Sequence, residues 1–214
     1  MNRRISNFVD ELAMASLPNV FNPYADVCTE MDRKFAPRIR KRNLVRALES
    51  AVNTGARSVW IAQDLGYRGG RRTGLALTDE AHLSQHARML GESSFAKATL
   101  GPIVAERTAE IIWRALSSIQ QPVFLWNVFP LHPHLPQAPF SNRCHNRSER
   151  VFGIRFLNEL LEILQPETVV AVGGQSAKVL VDLNIKCIHV RHPSYGGQSE
   201  FLRSIGNLYS CEIH

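Results

Sequence analysis

The chain has 214 residues, 44% of them hydrophobic, and its 25 Lys and Arg against 19 Asp and Glu give a formal net charge of +6. That length suits a single α/β domain over residues 1–214, and the basic balance favours a polyanionic partner, nucleic acid first. No run of about 18 apolar residues occurs, which excludes a spanning helix and any membrane partner built on one.

The start of the chain, Met1-Asn2-Arg3-Arg4-Ile5, has no long apolar stretch behind its basic residues, so no secretory signal is expected. Cys28, Cys144, Cys187 and Cys211 are scattered and form no CxxC pair. This argues against a disulfide framework or a cysteine-held cluster, and for a reducing cytoplasm. Residues 5–17 read as a short amphipathic helix stopped by Pro18, and residues 18–37 as irregular chain broken by Pro18, Pro23 and Pro37. Arg38, Arg40, Lys41, Arg42 and Arg46 then lead into a helix near 41–53. Such a run faces either a phosphate backbone or plain solvent.

Four apolar runs have strand length: Ser58 to Ala62, Pro122 to Trp126, Thr168 to Val172 and Cys187 to Val190. They are apolar at nearly every position rather than at alternate ones, the pattern of strands covered on both faces. Helical patterns separate them at 79–91, 102–119, 149–164, 175–183 and 198–209. Thr78 before Asp79 and Glu80, and Ser148 before Glu149, read as N-caps with acidic first turns. The alternation predicts a three-layer α/β/α sandwich around a central four-stranded parallel sheet. One connection, Asn127 to Arg147, carries Pro130, Pro133, Pro136 and Pro139 and no regular period. Long structureless loops in compact domains are usually functional or disordered.

Three polar groups stand just past predicted strands: Asp64, Asn127 and His192. In an open α/β sheet, ligands bind beyond the carboxyl ends of the strands. Arg68, Arg71 and Arg72 lie among glycines after the first of these, where a guanidinium fork meets phosphate and the backbone approaches closely. Arg191 and Ser194 flank His192. Each residue also has a plainer reading. Asp64 caps a turn, Asn127 bonds nearby backbone, His192 is structural, and the arginines pair with Asp79 or Glu80. His132, His134, Cys144 and His145 share one loop, but their spacing matches no familiar zinc site, and no metal is expected.

With these three strand ends in order, the chain resembles the uracil-DNA glycosylase superfamily from about residue 57 to residue 209. The resemblance rests on Ala62-Gln63-Asp64-Leu65-Gly66-Tyr67, Leu125-Trp126-Asn127-Val128 and His192-Pro193-Ser194. It implies base flipping and hydrolysis of the N-glycosidic bond of uracil in DNA, as the first step of base excision repair, with no cofactor and a monomeric enzyme. Asp64 would stabilise the sugar cation and direct water, His192 would donate to uracil O2, and Asn127 would meet uracil N3–H and O4. Gln63 would offer a backbone N–H. No lysine stands at the expected nucleophile position, so base release without strand cleavage is implied.

The sequence departs from the best-known branch, which has Pro and Tyr after its acid where this chain has Leu65 and Gly66. That tyrosine excludes the thymine methyl in the family; here Tyr67, one step on, is the candidate. Leu77 takes the place of the stacking aromatic. Gly196 falls at the usual wedge leucine, leaving Tyr195 or Gln198 to fill the gap of a flipped base. A divergent branch follows, with thymine exclusion and duplex preference open. Other deaminated bases, hypoxanthine or xanthine, and a non-catalytic nucleic-acid binder on the same fold remain alternatives. A generic nucleotide-binding α/β protein is weaker, because no phosphate-loop signature follows the first strand.

Overall fold

Apolar side chains on both faces of four strands dictate a sheet covered by helices above and below. In the computed structural model, which describes residues 2–213, that sheet forms. The elements run α1 (Arg3–Ala13), β1 (Val20–Phe21), α2 (Ala36–Asn53), β2 (Ser58–Asp64), α3 (Gly70–Thr73), a 3-10 turn (Glu80–His82), α4 (Leu83–Met89), α5 (Arg107–Ser118) and β3 (Val123–Phe129). They continue with β4 (His132–Pro133), α6 (Arg147–Leu164), β5 (Thr168–Val172), α7 (Gly174–Asp182), β6 (Ile188–Val190) and α8 (Gln198–Tyr209).

The main sheet has the order β3-β2-β5-β6, and every pair is parallel. Ser58 of β2 pairs with Val123 of β3 and with Thr168 of β5, so the three strands start level. The chain leaves β2 toward β3 on one side and then crosses to β5 and β6 on the other. That reversal makes a switch point at the carboxyl ends of β2 and β5, the place where crevices open in such sheets.

The two faces have separate cores. Val59, Ile61, Phe124, Trp126, Val128, Val169 and Ala171 pack against α1, α2, α6 and α7. Trp60, Ala62, Val123, Leu125, Val170, Val172 and Val190 pack against α5 and α8 through Ile112, Trp113, Leu116, Phe201 and Ile205. A short antiparallel pair, β1 with β4, was not expected; it ties Phe21 to His132.

Several boundaries differ from the sequence reading. β2 runs on through Gln63 and Asp64, and β3 through Asn127 to Phe129. The helix expected at 41–53 begins at Ala36, because Pro37 falls in its first turn, where a missing N–H costs nothing. The pattern at 79–91 splits into the 3-10 turn and α4, and Asp79 rather than Thr78 is the cap, accepting from His82 N at 3.0 Å. The helix expected from 102 starts at Arg107, since Glu106 is extended (φ −126°, ψ 130°). Asn146, not Ser148, caps α6, in a capping box with Glu149.

The basic run of α2 is partly engaged inside the fold. Arg40 is buried in an ion pair with Asp32, Lys41 meets Asp10, and Arg46 meets Glu92. Among the described residues no helix is long and apolar enough to cross a membrane.

Candidate active site

At the switch point lies a cavity of about 480 Å³, within the range of small-molecule sites. Its walls come from the end of β2 and its loop (Ala62, Gln63, Asp64, Leu65, Gly66) and from Leu77. The start of α7 (Gly173, Gly174, Gln175, Ser176) and the loop after β6 (His192, Ser194, Tyr195) close it. Parallel pairing of β2 and β5, with β6 beyond, therefore brings Asp64 and His192 to one space.

Asp64 is the last residue of β2, and its side chain is only 12% exposed. Burial pushes its carboxyl above the usual carboxylate range, and the charge of Glu149 adds to the rise. His145 opposes both. Its Nδ1 lies 2.6 Å from Asp64 Oδ1, and its backbone N–H donates to Oδ2 at 3.4 Å. His145 comes from the long loop after β3, which is how that loop enters the site.

His192 is half-buried, and burial lowers its pKa, so the neutral imidazole is the form present at neutral pH. Ser194 N–H donates to His192 Nδ1 at 3.2 Å. With Nδ1 accepting, the ring proton sits on Nε2, leaving one uncharged donor. Gly173 holds φ +95°, and a Cβ there would come within 3.2 Å of His192 Cβ. The glycine is thus needed twice, for its backbone angle and for the approach of the imidazole.

Of the residues singled out from sequence, Gln63, Asp64, Gly66, Leu77, His192, Ser194 and Tyr195 line this one cavity. Leu77 sits in the left-handed region (φ +52°), and its carbonyl accepts from Trp113 Nε1 at 3.1 Å. Ser194 Oγ lies 3.2 Å from Thr108 Oγ1, tying the loop after β6 to the start of α5. Tyr195 is 99% exposed and also left-handed (φ +52°).

The others stand elsewhere. Asn127 is in mid-strand rather than at a strand end, opposite Ala62, and is 1% exposed. It does not line the cavity, and its Oδ1 has no hydrogen-bond partner. Tyr67 is outside the cavity wall as well; its N–H donates to Asn142 Oδ1 at 3.0 Å and its hydroxyl accepts from Arg68 Nε at 2.7 Å.

Arg71 and Arg72 correct the expectation of phosphate contact, because both are buried. Arg71 donates to Pro139 O at 2.7 Å, lies over the Phe21 ring and meets His132 Nδ1 at 3.3 Å. Arg72 pairs with Glu80, with a closest approach of 3.2 Å. The glycine–arginine loop is therefore pinned to the long loop and to the 3-10 turn. Arg68 and Arg191 are exposed, Arg191 in an ion pair with Glu200 at 3.1 Å, and Gln198 opens α8 half-buried.

Sequence reasoning missed His145 as a partner of Asp64, the turn Gly173–Ser176, and Glu106 and Thr108, all on the cavity wall or in contact with it. A Gly-Gly directly after a buried strand was the available signal for the turn. In the sequence His145 reads only as one of four His and Cys residues sharing a loop. Among the described residues no group of three or more His, Cys, Asp or Glu is placed to hold a metal ion.

The family model described as "Uracil DNA glycosylase superfamily" matches residues 50–204. The crystal structure of wild-type SMUG2 from Pedobacter heparinus superposes with a TM-score of 0.66 at 13% identity, covering 96% of this chain and 97% of that one. No match was found among curated proteins.

Proposed function

The chain belongs to the uracil DNA glycosylase superfamily, and within it we propose a monofunctional glycosylase that excises uracil from DNA and needs no cofactor. The observation that carries this reading is the shared cavity of Asp64 and His192. One side chain is a buried acid and the other a neutral donor, the two groups that a breaking N-glycosidic bond calls for: an anion beside the sugar and a hydrogen-bond donor at the base.

The target nucleotide must leave the stack to place its base in this cavity, at a cost of roughly a few kcal/mol. As the bond stretches, the sugar becomes cationic and the base anionic. Asp64, ionised, lies beneath the sugar, stabilises the cation and receives a proton from the attacking water. His145 holds the Asp64 carboxylate in place. His192 Nε2–H points its dipole at the base oxygen where negative charge grows. A preorganised donor of this kind contributes about 10²–10³ in rate. Leu77 forms the apolar wall against the base, and Gln63 supplies backbone at the strand end. Arg68, Arg191, Ser194 and Tyr195 serve the DNA strand around the flipped nucleotide.

Incubation with uracil-containing oligonucleotides, followed by alkaline cleavage of abasic sites, tests the reading. Uracil release by the wild-type protein is expected, with a strong loss in Asp64→Asn and in His192→Ala. Full activity in Asp64→Asn would remove the acid from the mechanism. A second reading, release of hypoxanthine or xanthine, is favoured by Gly66, which adds no side chain to the cavity wall. A panel of single-base substrates separates the two.

A further inference from the structure

The cavity holds a second carboxylate that the reaction above does not use. Glu106 stands at the N-cap of α5, and its side chain lies against the glycines of the first loop. A Cβ built on Gly66 would sit 2.9 Å from Glu106 Oε1, and one on Gly69 would overlap Oε2. The loop is thus glycine at the two positions where this carboxylate needs room.

Its backbone is fixed as well. Glu106 N–H donates to Asp79 Oδ2 at 2.6 Å. Asp79 is itself anchored by His82, so the α5 N-terminus is held while the Glu106 side chain reaches into the cavity. No salt bridge within 4 Å occupies that carboxylate among the described residues. Arg68 is the cation nearest in effect, and its Nε is already donated to Tyr67. Burial and the Asp79 charge both raise the Glu106 carboxyl above its usual range. A half-buried acid kept without a partner on the wall of a cleft is poised to take a hydrogen bond from a ligand.

We infer that Glu106 is a specificity-determining residue, whose carboxylate accepts the imide or lactam N–H of the flipped base. This rests on the glycosylase reading and deepens it. A base with a ring N–H, such as uracil, hypoxanthine or xanthine, satisfies the carboxylate. A base that presents a bare ring nitrogen sets lone pair against lone pair, and an N-methylated base sets a methyl against a desolvated charge. Loss of one hydrogen bond to a charged group is felt most in a site that cannot rehydrate.

The test compares uracil with N3-methyluracil, and hypoxanthine with N1-methylhypoxanthine, in single-stranded oligonucleotides so that base pairing plays no part. The wild type is expected to release the unmethylated base at least 10-fold faster in kcat/KM. Glu106→Ala is expected to bring that ratio close to one. Glu106→Gln, nearly isosteric, keeps the fold if the alanine variant is unstable, and is expected to shrink the ratio as well. An unchanged ratio in both variants, or an equal loss on every base, overturns the inference, since a residue that only shapes the loop would act on all bases alike. Failure of the wild type to release any base defeats the glycosylase reading itself, which is a different result.

Discussion

His145 Nδ1 sits 2.6 Å from Asp64 Oδ1, with both side chains largely buried. The contact joins the loop between β4 and α6 to the last residue of β2, and it works against the burial that raises the Asp64 carboxyl. His145→Leu removes it. The Asp64 pKa then rises further, and because the proposed reaction uses the ionised carboxylate, the acid limb of kcat/KM is expected to move to higher pH. Turnover at pH 7 falls, by no more than the about 10²–10⁴-fold that the acid–base group it positions contributes. A pH–rate profile on a uracil oligonucleotide checks this. An acid limb left in place would show that His145 does not tune Asp64.

The layered α/β/α fold and the paired loops were legible because buried parallel strands leave unbroken apolar runs, and strand ends are marked by Asp64 and His192. The Arg71 and Arg72 environment was not legible. Their partners, Phe21, Pro139 and Glu80, lie on separate elements, so charge among glycines read the same whether it faced DNA or the interior. That Asn127 lies within β3 rather than past its end was not legible for a related reason. β3 continues to Phe129, and nothing local distinguishes a strand that stops at a polar residue from one that buries it. His145 and Glu106 come to the cavity only through tertiary packing, His145 from an irregular loop and Glu106 from a helix cap.

The two buried arginines and the exposed one separate fold from binding. Arg72→Met takes from buried Glu80 its nearest cation, leaving Lys97 Nζ at 3.8 Å and the Val104 N–H at 2.9 Å, and breaking a buried pair costs up to about 3–5 kcal/mol. For a chain of this size that is a Tm loss on the order of 10 °C. Arg68→Ala is expected to leave Tm unchanged and to lower DNA affinity, with the salt slope of binding reduced by about 1. Thermal melts and salt-titrated binding, run on both variants, check the contrast.

Tyr195 contributes almost nothing to packing, being 99% exposed, yet it holds a left-handed backbone at the cavity mouth. Tyr195→Gly relieves that strain, so Tm is expected to hold or rise. An aromatic ring stacked on a base is worth about 1–3 kcal/mol, so duplex uracil release drops by roughly 5- to 160-fold. Single-stranded substrate, which leaves no stacked gap to fill, loses less. Equal losses on both substrates would remove the wedge role.

Acid should unfold the protein through two histidines. His86 and His132 are buried, and each pKa is lowered to about 3. In the unfolded chain a histidine titrates near 6.5. Below that pH the unfolded chain binds protons that the fold refuses, so this part of the stability is complete above about pH 6.5 and is lost as pH falls toward 3. Two such groups give ~2.7 kcal/mol per pH unit at full effect. Urea denaturation in steps from pH 6.5 to 4.5 measures the slope, and His86→Phe is expected to remove about half of it.

Asn127 leaves a buried oxygen unpaired, a cost of about 1–3 kcal/mol that a core strand has no reason to keep. It lies opposite Ala62, which does line the cavity, on the same sheet face as the wall residue Val172. A group retained at such a cost beside a ligand site is expected to serve the ligand. Asn127→Leu keeps the volume and removes the orphan acceptor, so Tm should hold or rise by a few degrees. Uracil release should nevertheless fall by about 10-fold or more, since a site built around a hydrogen bond loses much of its discrimination without it. Retained turnover together with a raised Tm would assign the amide no part in reading the base and leave that task to Glu106.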